Sequence, residues 1–151
     1  MTAPDRRFMA AAVAQARIAM RRSEVPVGAV IVRSGRVIAR GRNEIVGRQD
    51  PTAHAELLAI RKAAARLKNE RLPGCTLYTT LEPCAMCAGA IVLARIDRVV
   101  FGAGEPKTGA AGSVVELLRH PRLNHRCAVT GPVDAGRCGR LLASFFKCRR
   151  Q

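Results

Sequence analysis

Val27-Gly28-Ala29-Val30-Ile31-Val32-Arg33, then Ser34-Gly35, then Arg36-Val37-Ile38-Ala39-Arg40 is the stretch on which the fold turns. Residues 27–32 form a continuous apolar, β-branched run, Ser34-Gly35 is a tight-turn pair, and 36–40 returns, which predicts a β-hairpin. Upstream, Phe8, Ala12, Val13, Ala16, Ala19 and Met20 recur near the helical period over 5–22, with Pro4 as a start signal just ahead of them. Downstream, 41–51 reads as a polar loop and the Ala/Leu-rich 53–67 as a helix. Pro73-Gly74 breaks the chain before a short strand at 76–80. Pro83 is placed to open a helix that runs through Ala94, because proline is tolerated in a first turn. A strand at 98–101, a flexible glycine-rich stretch at 102–112 and helices at 114–118 and 134–149 complete the chain. A helix and a hairpin followed by alternating helices and strands predict an α/β layered domain with a mixed sheet. No repeat, linker or low-complexity stretch interrupts it, so 1–151 is expected to be a single domain.

The bulk numbers fit that expectation. The chain has 151 residues, 48% of them hydrophobic and 25% charged, enough for one hydrophobic core. Aromatics are only 3%, with no tryptophan, so the core must be built from Ala, Val, Leu and Ile. No apolar run approaches the ~20 residues that span a bilayer, and no membrane association is expected. Arg6-Arg7 ahead of Phe8-Met9-Ala10-Ala11-Ala12-Val13-Ala14 imitates a leader, but Gln15 and Arg17 interrupt it. An amphipathic helix and a cytoplasmic location are the expectation. The formal net charge is +15, from 26 basic against 11 acidic residues. That excess points to a polyanionic partner, nucleic acid first, with general solubility as the plainer explanation.

His54-Ala55-Glu56 and Pro83-Cys84-Ala85-Met86-Cys87 carry the chemistry. One histidine and two cysteines can hold zinc through three protein ligands, and a catalytic zinc keeps its fourth position for water. Cys84 and Cys87, three apart at a helix start, share a face, and the positive helix end favours thiolates. His54 also stands at a helix start, so two helix N-termini would converge at one edge of the sheet, where α/β pockets form. Glu56 is a poor co-ligand on helical geometry. It could reach a metal-activated water if His54 lies in a non-helical first turn, and would then act as general acid and base. A redox pair lacks thioredoxin-like surroundings. A structural zinc would need a fourth ligand such as His120 or His125, neither at motif spacing. Cys75, Cys127, Cys138 and Cys148 read as bystander thiols.

His-x-Glu with Pro-Cys-x-x-Cys resembles the cytidine deaminase-like superfamily of zinc deaminases, whose signature and glutamate role are known. Within it, the flanking segments are similar to the bacterial tRNA-specific adenosine deaminases. These are Val25 to Val30, Asp50 to Glu56, Leu81 to Ala90, Arg98 to Ala103, Lys107 to Ser113, His120-Pro121 and Asn124-His125-Arg126. The resemblance covers nearly the whole chain. Guanine deaminases share much of 50–56, and it is 107–113 and 124–126 that point to the tRNA enzymes.

The resemblance implies a three-layer fold, a five-stranded mixed sheet with helices on both faces, and a homodimer with one Zn2+ per chain. The implied reaction is hydrolytic deamination of the wobble adenosine in a tRNA anticodon stem-loop, with zinc-activated water and Glu56 as proton shuttle. It implies that Asn43 hydrogen-bonds the base and that Val27, Gly28 and Ala53 wall the pocket. Where the family often has an aspartate at the tRNA backbone, this chain has Glu105-Pro106, ahead of Lys107. Glu44-Ile45 stands where a basic residue and a proline are common. Lys147, Arg149 and Arg150 are expected at phosphates, which position an RNA while loop bases are read in the pocket. Two other functions compete. A small-molecule guanine or cytidine-type deaminase would leave the charge unexplained, and a non-catalytic zinc-stabilised RNA-binding module would not need Glu56.

Overall fold

A computed structural model describes residues 1–149. Helix α1 (Ala3–Arg21) leads into strands β1 (Gly28–Arg33) and β2 (Arg36–Arg42), then the short helix α2 (Ile45–Arg48) and α3 (Ala55–Leu67). Strand β3 (Cys75–Leu81), α4 (Ala85–Leu93), β4 (Arg98–Ala103), β5 (Ala128–Thr130) and α5 (Ala135–Arg149) follow. The five-stranded sheet has the order β2-β1-β3-β4-β5. β1 is antiparallel to both β2 and β3, and β3, β4 and β5 are parallel. The sheet is mixed, as expected. The hairpin turns at Ser34 (φ 51°) and Gly35 (φ 73°), positive φ values at both centres, as a two-residue hairpin requires.

Side chains alternate between the two faces of the strands. Val30, Val32, Tyr78 and Val100 pack against Phe8, Met9, Ala12 and Val13 of α1 and Cys138 of α5. Ala29, Ile31, Leu77, Val99 and Phe101 point the other way, onto Ala55, Ala59 and Ala63 of α3 and Ala88, Ile91 and Val92 of α4. Small residues let the helices lie close. A Cβ on Gly28 would sit 2.1 Å from the Ala12 carbonyl oxygen.

Several local expectations are corrected. β2 runs on to Arg42, and 45–48 of the expected loop is helical. α3 begins at Ala55 because Asp50 accepts the Thr52 amide and hydroxyl in a turn, after which His54 is extended. Pro83 lies outside α4, its carbonyl taken by the Ala110 amide at 2.8 Å. No helix forms at 114–118. There the Leu117 amide bonds back to Ala110 and the Gly112 amide to Val115, bridging Ala111 and Glu116. Helix α1 starts at Ala3 with Thr2 as N-cap, and Pro4 is inside its first turn. Strand β5 was not foreseen. Cys75, Cys127 and Cys138 are buried free thiols and Cys148 is exposed. Among the described residues, no helix is long and apolar enough to cross a membrane.

Candidate active site

One end of the sheet gathers the chemistry. The C-terminal ends of β2, β3 and β4 and the start of β1 meet there, because β1 is antiparallel to both its neighbours. The N-termini of α3 and α4 open onto the same end. His54 is the N-cap of α3 and Cys84 that of α4, both in extended backbone (φ −77°, ψ 149° and φ −76°, ψ 176°). Being outside the helix, His54 can face the same space as Glu56 even though the two are only two residues apart.

The His54 Nδ1 lies 3.6 Å from the sulfurs of both Cys84 and Cys87, and all three ligand atoms fall within 4.8 Å of one another. A tetrahedral ion with zinc's bond lengths sets an N···S edge of about 3.6 Å, so the donor set fits zinc in kind and spacing. Among the described residues no other His, Cys, Asp or Glu joins the cluster. Cys84 is driven toward thiolate by the Cys87 thiol and then by His54. Cys87, donor to Cys84 and buried, is pushed the other way. Contact with Cys84 raises His54. Glu56 is 3% exposed, and burial pushes its carboxyl up to about 7, against a usual value near 4.3.

These groups line a cavity of about 170 Å³ with apolar walls from Val25, Val27, Ile45 and Leu81 and polar groups from Asn43, His54, Glu56, Glu82, Cys84 and Thr108. Cavities of about 150 Å³ take up a benzene ring, so the space suits a single flat aromatic group. Asn43 is buried, and its Oδ1 accepts the Ala55 amide at 2.9 Å, leaving the side-chain NH2 as a donor.

The remaining expected site residues are placed differently. Gly28 faces α1, and its amide donates to the Thr80 hydroxyl. Ala53 is buried, with its carbonyl accepting the Glu44 amide, and neither residue lines the cavity. Lys107 is exposed beside the lining Thr108, and its amide donates to Glu105 Oε1 at 2.9 Å. Arg149 lies over the Phe145 ring at 5.0 Å and donates to the Ser23 carbonyl, two residues before the lining Val25. Arg150 lies outside the described residues.

The stretch 102–112 is not loose. Glu82, 2% exposed, accepts the amides of Glu105, Ala111 and Ser113 and the Ser113 hydroxyl. Burial alone would raise the Glu82 carboxyl, but these bonds, led by Ser113, hold it below the usual range.

A MafB19-like deaminase family model matches residues 4–150. The tRNA-specific adenosine deaminase of Bacillus subtilis is 46% identical over 143 residues, 95% of this chain and 89% of that one. The chain belongs to the tRNA-specific adenosine deaminase family. A solved structure from work on A-to-I editing by tRNA:A34 deaminases at the wobble position superimposes with a TM-score of 0.87 at 47% identity, covering 90% of this chain and 99% of that one. The guanine deaminase of Nitrosomonas europaea has a TM-score of 0.84 at 25% identity, over 98% of this chain and 87% of its own. Fold alone therefore does not separate tRNA-specific adenosine deaminases from guanine deaminases, whereas sequence does. For a tRNA-specific adenosine deaminase, the sequence leaves Val25, Ile45, Leu81 and Thr108 unmarked as pocket residues and gives Glu82 no role. An acidic residue wedged between Leu81 and Pro83 was the available signal, since such residues are rarely buried unless partnered.

Proposed function

We propose that this chain hydrolyses the wobble adenosine of a tRNA anticodon to inosine and ammonia, acting over 1–151 as one zinc-dependent deaminase domain. The observation that carries this is the meeting of buried Glu56 with the His54, Cys84 and Cys87 cluster at a cavity sized for one flat aromatic group. Family membership selects the substrate. His54, Cys84 and Cys87 would hold one zinc ion per chain. When bound, it supplies a Lewis acid that makes hydroxide available near neutral pH.

The chain's own residues do the rest. Glu56 takes the proton of the attacking water on a carboxylate oxygen and returns it to the departing amine. The C6–O bond forms first, making C6 tetrahedral, and the C6–N bond breaks afterwards as the protonated amine leaves as ammonia. Asn43, its oxygen tied to Ala55, turns its NH2 to an acceptor on the base. The apolar walls at Val25, Val27 and Ile45 hold the ring and exclude water. Lys107, next to the lining Thr108, and Glu105, Arg149 and Arg150 would meet the backbone of the anticodon loop.

The charge supports an RNA partner. α1 and α5, on one face of the sheet, carry Arg6, Arg7, Arg17 and Arg21 with Arg137, Arg140, Lys147 and Arg149. A homodimer fits α4, which has no charged residue and leaves Leu93 79% exposed. Light scattering of the purified protein tests it. A cytoplasmic location follows from the tRNA substrate and agrees with six free cysteines.

The test is incubation with total tRNA followed by sequencing for adenosine-to-inosine changes. Glu56→Ala should keep fold and metal and form no inosine, and near wild-type product from it would sink the mechanism. tRNA affinity should fall steeply with salt, through counterion release. A free nucleobase substrate is the competing reading, favoured by the likeness to a guanine deaminase. Conversion of free guanine or cytidine, with tRNA untouched, would select it.

A further inference from the structure

Ionised carboxylates are costly to bury unless hydrogen bonds offset the lost water. Glu82, between Leu81 and Pro83 at the end of β3, is 2% exposed, and its partners all come from one loop. Oε1 accepts the Glu105 amide at 3.0 Å and the Ser113 hydroxyl. Oε2 accepts the amides of Ala111 at 2.9 Å and Ser113 at 3.1 Å. One carboxylate thus draws together both ends of the segment whose exposed tip is Pro106-Lys107-Thr108.

The fit is close. A Cβ on Gly109 would lie 2.4 Å from Glu82 Cδ, so the loop passes over the carboxylate where only glycine clears it. Thr108 and Glu82 line the same cavity, and Gly109 bridges to Cys84 beneath. Only a carboxylate suits this place. It offers about four acceptor positions and no donor, and its charge strengthens each bond. Glutamine would aim N–H groups at N–H groups.

We infer that Glu82 is a positioning residue for RNA recognition. It holds the 104–113 loop as a pre-formed lip, so that Lys107 and Thr108 meet the RNA without first having to be ordered. This rests on the tRNA reading above. Ordering a loop costs conformational entropy, and a lip ordered in advance has that cost already met by folding. Losing the clamp therefore shifts the cost onto binding, which raises KM more than it lowers kcat.

The experiment compares the full-length chain with Glu82→Gln and Ser113→Ala, the latter on the exposed loop itself should the first fail to fold. Metal content, amide hydrogen exchange and deamination of an anticodon stem-loop RNA are measured on each. In Glu82→Gln, metal stoichiometry should stay at the wild-type level, protection at Ala111 and Ser113 should be lost, and KM should rise about tenfold with kcat nearly unchanged. Ser113→Ala should show the same pattern more weakly. Unchanged exchange at Ala111 and Ser113, a fall in kcat at constant KM, or loss of metal from Glu82→Gln would overturn the inference. Exchange and metal content need no RNA. A wild-type chain inactive on RNA would sink the tRNA reading and the RNA half of this inference, while exchange alone decides whether Glu82 holds the loop.

Discussion

The N-terminus of α1 and those of α3 and α4 begin in opposite ways. α1 has a complete capping box: the Asp5 amide donates to the Thr2 hydroxyl, and the Thr2 amide returns a bond to the Asp5 carboxylate. α3 and α4 start at His54 and Cys84, and neither side chain makes a cap hydrogen bond. The help α3 receives comes from Asn43, twelve residues earlier, whose Oδ1 takes the Ala55 amide. A helix start closed by its own side chains serves stability. A start left open turns its positive end toward the cavity, where thiolates and a developing anion benefit from it. The difference separates residues kept for folding from residues proposed for chemistry, and each class can be broken without the other.

The largest effect should come from Cys84→Ala. It removes a proposed ligand but no side-chain cap hydrogen bond. Bound metal, read by mass spectrometry of inorganic elements, should fall to background, and inosine formation should drop on the order of 10³-fold or more as metal and proton chemistry fail together. Helix content by circular dichroism should barely change. A variant that keeps its metal and its rate would show that Cys84 is a bystander.

Asp5→Ala should do the reverse. Asp5 is buried, and accepts from Arg98 Nη1 and Nη2 at 2.9 and 3.0 Å and from the Tyr78 hydroxyl at 2.7 Å. Removing one partner of a buried ion pair costs about 3 kcal/mol, readable as a lower urea midpoint with unchanged kcat per folded molecule. The same contact sets a pH dependence. The Arg98 guanidinium, helped by Tyr78, holds the Asp5 carboxyl well below the usual carboxylate range. A depressed carboxyl stabilises the fold fully above its unfolded value of about 3.9, and that contribution is lost as pH falls below it. Wild-type urea midpoints should therefore drop between pH 6 and pH 3 more steeply than those of Asp5→Asn. Parallel slopes would remove the ion pair from the account.

What the sequence made legible follows the same division. The hairpin, the long helices, strands β3 and β4 and the His54, Glu56, Cys84 and Cys87 set were readable because periodicity and motif spacing are local signals. β5 was not, because three residues, Ala128 to Thr130, carry no period and exist by pairing with β4. The stretch 102–112 reads as flexible because its glycines are local while the partner that holds it, Glu82, is more than twenty residues from Glu105. Likewise 114–118 has helical composition, but the Val114 and Val115 amides donate to the Gly109 carbonyl and the Leu117 amide to that of Ala110. Tertiary hydrogen bonds overrode local preference in each case.

The smallest effects test the comparison most directly. Thr2→Ala should cost about 1 kcal/mol, as loss of an N-cap does, with deamination unaffected. His54→Ser should act in the opposite sense once metal is stripped from both proteins by a chelator. Serine at the start of α3 can accept an amide that histidine leaves alone, so the metal-free variant should be more stable than the metal-free parent by roughly 0.5 kcal/mol. With metal present the order should invert, because only the parent gains the binding free energy of the ion. Equal stabilities in both conditions would mean that the open start of α3 carries no stability cost and that its lack of a cap has nothing to do with the site.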